Sequence, residues 1–158
     1  PIHQVTNKTR TKRHEFQWET EQQAAFDTFK SILTSSPLFL HFPDRQLPFI
    51  LSTDASETRV AGILKQMTPD GLRICYYKSR LLTDIERRYS TTEREALAIY
   101  WCISELRNYI ADTPIIVETD HQPLVNMHLK TQFGNKRIDN WLIHIQDIIP
   151  QIIAIKYK

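Results

Sequence analysis

Phe49-Ile50-Leu51-Ser52-Thr53-Asp54-Ala55-Ser56 and Ile115-Ile116-Val117-Glu118-Thr119-Asp120-His121 follow one pattern. Each is a short run, weighted to β-branched and large apolar residues, that ends on Thr-Asp. Such runs are short for helices and have the composition of buried strands. Asp is also an ordinary turn residue after a strand, so either aspartate alone has a simpler explanation. Between them, Thr92 to Ile110 spaces Ala96, Ile99, Ile103, Leu106 and Ile110 by three and four, as an amphipathic helix does. Glu95 stands on that apolar stripe, with Ile99, Cys102 and Leu106 at i+4, i+7 and i+11. Glu93 aligns instead with Leu97, Tyr100 and Ser104, a less apolar face. A capping box from Thr92 to Glu95 would by itself account for an acid there, and the two roles are compatible.

Working outward, three strands are predicted in succession: Phe49 to Asp54, Val60 to Met67 and Leu72 to Ser79. Pro69-Asp70-Gly71 closes the last two as a hairpin, and the short Ala55–Arg59 turn makes the three an antiparallel meander. Residues 83–90 read as a short helical approach to the long helix. After it come a strand at Ile115 to Thr119, a short helix from Gln122 to Met127, an amphipathic helix from Lys136 to Ile148 and a strand from Ile152 to Tyr157. Upstream, Thr20 and Gln23 suggest a capping box opening a helix that carries Ala25, Phe26, Phe29, Ile32 and Leu33 and stops at Pro37. Residues 1–17 lack periodicity and read as a linker. A hairpin-rich start followed by alternating helices and strands predicts an α/β fold, a five-stranded mixed sheet with helices on both faces.

The 158 residues are enough for one domain with a proper core. The net charge of +2 does not announce a nucleic-acid binder, so that function would rest on local basic groups. Cys75 and Cys102 cannot build a disulfide framework or a four-ligand zinc site, and read as small buried apolar groups of a reducing compartment. No apolar stretch reaches the ~18 residues of a membrane span, and the basic N-terminus has no signal-peptide core. These features give an intracellular expectation. The start at Pro1 and the stop at Lys158, just after a strand, suggest a segment of something longer.

Two strand-end aspartates and one helical glutamate form a carboxylate set with the look of a two-metal nuclease centre. Carboxylates near 4 Å apart repel by about 4 kcal/mol at an effective dielectric of 20, so three together call for protons or cations. Two Mg²⁺ ions suit phosphodiester hydrolysis, activating water and relieving charge on the leaving oxygen. His121 beside Asp120 is positioned to orient a ligand, shuttle a proton or make a polar contact. Ser56 offers a substrate contact or a turn cap, and Lys78, Arg80, Arg87, Arg88, Lys136 and Arg137 offer phosphate contacts or plain surface charge. Trp141 reads as core.

With these residues in view, the chain resembles the ribonuclease H region of reverse transcriptases from gypsy-type long-terminal-repeat retrotransposons. The resemblance is carried by Phe16-Gln17-Trp18, Ser36-Pro37, Phe42-Pro43-Asp44, Thr53-Asp54-Ala55-Ser56 and Tyr77-Lys78-Ser79-Arg80-Leu81-Leu82. It continues through Tyr89 to Ile99, Arg107, Tyr109, Thr119-Asp120-His121-Gln122-Pro123-Leu124, Arg137 and Trp141. It implies a ribonuclease H-like domain over residues 47–158, C-terminally truncated, after a polymerase junction over 1–46. It also implies Asp54, Glu95 and Asp120 as catalytic, metal-binding acids for Mg²⁺, with Mn²⁺ the substitute. Ser56, Arg80, His121 and Arg137 would meet an RNA–DNA hybrid whose RNA strand is cut. The partner would be an upstream polymerase domain of the same polyprotein, in a cytoplasmic retroelement particle. Ala61-Gly62 inverts the family's usual order, Asp112 replaces a glycine, and Asp139 and Asp147 do not match the family's further acid beyond the last strand. A non-catalytic structural or nucleic-acid-binding role, or a nuclease acting on DNA, is the alternative.

Overall fold

The structure, a computed structural model, describes residues 18–34 and 40–158. The linker expected over 1–17 and the helix stop at Pro37 lie outside the described residues. The chain divides into two compact units, with the boundary between residues 39 and 40. In the first, helix α1 runs Thr20–Leu33. Its cap sits one residue earlier than predicted: Gln22 Oε1 accepts the Glu19 backbone N–H at 3.1 Å, so Glu19 is the N-cap.

In the second unit, strands β1 (Phe49–Ala55), β2 (Arg59–Thr68) and β3 (Gly71–Leu81) form the expected meander. Pro69 and Asp70 form the β2–β3 loop, and Gly71 takes φ 111°, a left-handed conformation that glycine adopts without a Cβ penalty. Helix α2 spans Thr91–Ile110, followed by β4 (Ile115–Thr119), α3 (Lys136–His144) and β5 (Ile152–Tyr157). Asp112 takes φ 61°, the left-handed position just past α2 that a short polar side chain tolerates. The sheet order is β3-β2-β1-β4-β5; β1–β2 and β2–β3 are antiparallel, whereas β1–β4 and β4–β5 are parallel. The mixed five-stranded sheet is the one expected.

Two helical boundaries moved. The segment Gln122 to Met127 resolves into two 3₁₀ turns, Gln122–Leu124 and Met127–Leu129. Helix α3 ends at His144 rather than Ile148, and Ile149–Gln151 forms a separate 3₁₀ turn around Pro150. Pro150 has no N–H and disfavours helical geometry in the residue before it. Ile145 and Ile148 still reach the core.

Strand alternation sends Phe49, Leu51, Leu64, Ile115 and Val117 to one face, where they meet Ala96, Ile99, Ile103 and Leu106 of α2. Ile138 and Leu142 of α3 join the same core. Each of the larger side chains here, Ala96 excepted, contributes roughly 1.5–3 kcal/mol when fully buried. Gly62 lets α2 approach β2, since a Cβ there would stand 2.4 Å from Cys102 Sγ. Of the helical layers expected on the two faces, the described residues of this unit supply that one. The opposite face carries Ile50 and Ser52 of β1, Ile63 and Lys65 of β2, and Ile116 and Glu118 of β4. No helix among the described residues is long and apolar enough to cross a membrane.

Candidate metal centre

The sheet topology makes β1 and β4 parallel neighbours in the middle of the sheet, so both present their C-terminal ends at the same edge. Asp54 and Asp120 stand there, both exposed. The first turn of α2 comes to the same place because its apolar stripe packs on β1, β2 and β4. Glu95 arrives buried, at 4% exposure. One carboxylate oxygen from each of Asp54, Glu95 and Asp120 lies within 4.8 Å of the others.

Glu95 is not the capping residue. Ser90 is the N-cap of α2, and the box is closed by Glu93, whose Oε2 accepts the Ser90 N–H at 2.9 Å while Ser90 Oγ accepts the Glu93 N–H at 3.3 Å. Glu93 is further engaged by Asn135 Nδ2 at 3.2 Å and by Arg137. Glu95 is left with an oxygen, Oε2, that is buried and has no hydrogen-bond partner. Burial, with the charges of Asp120 and Asp54, pushes its carboxyl up to about 7, although the Ala55 backbone N–H and Arg94 pull the other way. The set is anionic, all-oxygen and internally unsatisfied. It fits a hard divalent cation, for which Asp54, Glu95 and Asp120 would be the ligands.

The remaining sequence-derived residues lie at varying removes. Thr92 Oγ1 and His121 Nε2 lie 2.8 Å apart, which ties the residue after Asp120 to the first turn of α2. Ser56 Oγ accepts the backbone N–H groups of Thr58 and Arg59 at 3.2 and 2.9 Å, capping the β1–β2 turn. Arg80 is engaged by Glu86 through both guanidinium ends and lies over the Trp101 ring. Arg137 stands 4.0 Å over the Tyr89 ring and pairs with Glu93, on the wall of a polar hollow of about 550 Å³ that Asn135, Lys136 and Asn140 also line. Trp141 is half-buried and stacks on Tyr100, 5.7 Å between centroids.

Sequence reasoning missed a polar group beside the centre. Ser52 Oγ and Lys65 Nζ both donate to Glu118 Oε2, joining three strands. Ser52, Asp54, Glu118 and Asp120 line one cavity of about 380 Å³. The contacts span 66 and 53 residues of chain, beyond any periodic signal.

Four similarities to known proteins bear on this geometry. The family described as "RNase H-like domain found in reverse transcriptase" matches residues 18–117. The retrovirus-related Pol polyprotein from transposon gypsy of Drosophila melanogaster is 34% identical over 140 residues, covering 88% of this chain and 13% of the polyprotein. Among solved structures, the foamy viral protease-reverse transcriptase in complex with RNA/DNA hybrid aligns with TM-score 0.56 at 20% identity, over 90% of this chain and 19% of that one. RNase H1 from the archaeon Halobacterium salinarum aligns with TM-score 0.52 at 12% identity, over 70% of this chain and 85% of that one. These two likenesses are of fold. The chain thus spans only about an eighth of the length of its gypsy relative, and by the extent of its family match it belongs to the RNase H-like domains found in reverse transcriptases.

Proposed function

We propose that this domain cuts the RNA strand of RNA–DNA hybrids internally during reverse transcription, using divalent cations held by Asp54, Glu95 and Asp120. The carrying observation is the convergence of these three carboxylates within 4.8 Å, one with a buried oxygen that has no partner. Mg²⁺ suits this donor set best and Mn²⁺ next. When bound, such ions supply an activated water and charge relief at the leaving oxygen.

The chain's own residues do the rest. β1 and β4 hold Asp54 and Asp120 at an exposed edge, open to a polymer rather than enclosed around a small molecule. The core holds Glu95 beneath them, where burial favours the proton that a bound cation would displace. His121, tethered by Thr92, is the group next to Asp120 that could pass a proton. Arg137 and Lys136 border the neighbouring hollow and are the basic groups best suited to phosphates. Family membership, and the foamy viral enzyme bound to RNA/DNA hybrid, support a hybrid as the substrate. Contacts to 2′-hydroxyls would tell the strands apart. An upstream polymerase domain of one polyprotein is the expected partner, within an intracellular retroelement particle.

The test is Mg²⁺-dependent cleavage of hybrid and of duplex DNA, by this chain and by the same domain within a Pol polyprotein. Asp54→Asn should lower hybrid cleavage on the order of a thousandfold, the several kcal/mol that metal-assisted charge stabilisation supplies. Equal rates in the two would discard the centre. Equal cleavage of duplex DNA would discard the substrate, and hybrid bound but never cut would favour the non-catalytic alternative.

A further inference from the structure

We infer that Ser52, Lys65 and Glu118 are positioning residues: a side-chain clamp across β2, β1 and β4 that sets the separation of Asp54 and Asp120. This rests on the metal-dependent centre proposed above. The β1–β4 register runs from Phe49 opposite Ile115 to Ser52 opposite Glu118 and ends there. Each aspartate stands two residues past that last pair, where no ladder hydrogen bond fixes the gap between the strands. At this last rung the Ser52 hydroxyl donates to Glu118 Oε2, and Lys65 Nζ reaches the same oxygen from β2 at 2.9 Å. The Thr53 hydroxyl adds a contact to the Glu118 carbonyl at 3.4 Å.

A cross-strand ion pair is ordinary on a sheet face, worth roughly 0.2–1 kcal/mol. Three observations set this one apart. Lys65 is 8% exposed, well below the usual exposure of a surface lysine. The clamp sits where the ladder ends rather than along it. And Ser52 and Asp54 are two apart on β1, Glu118 and Asp120 two apart across the end of β4, and all four line one cavity, so a change of spacing at the clamp passes directly to the aspartates. Residues that orient metal ligands without touching the metal typically change metal affinity 10–100-fold when removed.

Simple charge makes a different forecast, and the two separate cleanly. Mn²⁺ titrations of the full 158-residue chain, followed by calorimetry, would compare wild type with Ser52→Ala, Ser52→Thr and Lys65→Met. Positioning predicts a dissociation constant raised about tenfold by Ser52→Ala and by Lys65→Met. Ser52→Thr, which keeps the hydroxyl on a strand-favouring side chain, should restore it. Thermal midpoints without metal should stay close together, so that affinity and not folding is what changed. Unaltered affinity in Ser52→Ala, or tighter binding in Lys65→Met as expected from loss of a positive charge, would overturn the clamp while leaving the centre intact. Should Ser52→Ala not fold, Lys65→Met alone decides. A wild-type chain that binds no Mn²⁺ would overturn the centre and the clamp with it.

Discussion

Glu95 and Glu86 are both largely shielded from water, yet their surroundings are opposite. Glu86, at the corner after β3, receives Arg80 through two hydrogen bonds of 2.7 and 2.8 Å and the Thr83 N–H at 2.8 Å. The Arg80 guanidinium holds its carboxyl down at about 2, with burial opposing and the Thr83 N–H assisting. Glu95 has two acids for neighbours and an orphaned buried oxygen, and is pushed up to about 7. A satisfied acid is part of the framework; an unsatisfied one in a core position costs stability that only a ligand recovers. The two corners differ in what the fold leaves open for something else to complete.

Exchanging each acid for its amide tests that contrast hardest. Glu95→Gln should cut hybrid cleavage on the order of a thousandfold, as for Asp54. It should at the same time raise the stability of the metal-free chain at pH 8, by up to about 3 kcal/mol. The sign follows from proton binding. With a folded pKa near 7 above an ordinary 4.5, the folded state holds more protons through this window. Stability of the metal-free wild type therefore falls as pH rises from about 4.5 to 7. Urea unfolding in EDTA at pH 5 and pH 8 measures it, and a slope unchanged in Glu95→Gln would break the contrast.

Packing supplies the control that carries no charge. Gly62→Ala forces a methyl against Cys102 Sγ and should cost about 1–3 kcal/mol. The loss should be the same at pH 5 and pH 8, and Cys102→Ala in the same chain should recover most of it. Thermal melts at both pH values would show whether electrostatics and packing separate as cleanly as this.

Glu86→Gln should act oppositely to Glu95→Gln, lowering stability at pH 7 by about 1–2 kcal/mol, a figure discounted because Arg80 is partly exposed. Its folded pKa is depressed, so this contribution is present above the ordinary 4.5 and is lost as pH falls towards 2. Acid unfolding curves of wild type and variant should converge at the low end. Curves that stay parallel would remove Glu86 from the framework.

Why Glu95 was legible and its cap was not is a matter of range. The i+4, i+7, i+11 stripe is local, and it picked Glu95 over Glu93 before any geometry. Ser90, Thr91 and Thr92 are all competent caps by composition, and sequence favoured Thr92 with Glu95. The cap lies at Ser90 because Glu93 is also held by Asn135 and Arg137, more than forty residues away. The same limit hid Ser52, Lys65 and Glu118, three unremarkable strand residues until the register makes them neighbours. Short runs of β-branched and large apolar residues and the Pro69-Asp70-Gly71 turn carried the sheet, whereas α3 was drawn too long because Ile145 and Ile148 keep helical spacing in a segment that Pro150 has already unwound.

Arg137 gives the smallest expected effect and the finest test. Like Arg80 it pairs with a glutamate, but through one guanidinium nitrogen, and Glu93 shares its charge among more partners than Glu86 does. Burial pushes Glu93 up, yet the Ser90 N–H, Asn135, the Ser90 hydroxyl and Arg137 together bring it below the usual range. Removing one of several partners of a partly exposed pair should cost little, so Arg137→Ala should lose less than about 1 kcal/mol, its contact with the Tyr89 ring included. The pH 5 to pH 8 slope should match wild type, since Glu95 is untouched. If Arg137 also meets phosphate, the KM for hybrid should rise and its salt dependence should weaken while kcat holds. A stability loss as large as that of Glu86→Gln would mean that Arg137 alone secures Glu93, and the distinction between acids with one strong partner and acids with many would fall.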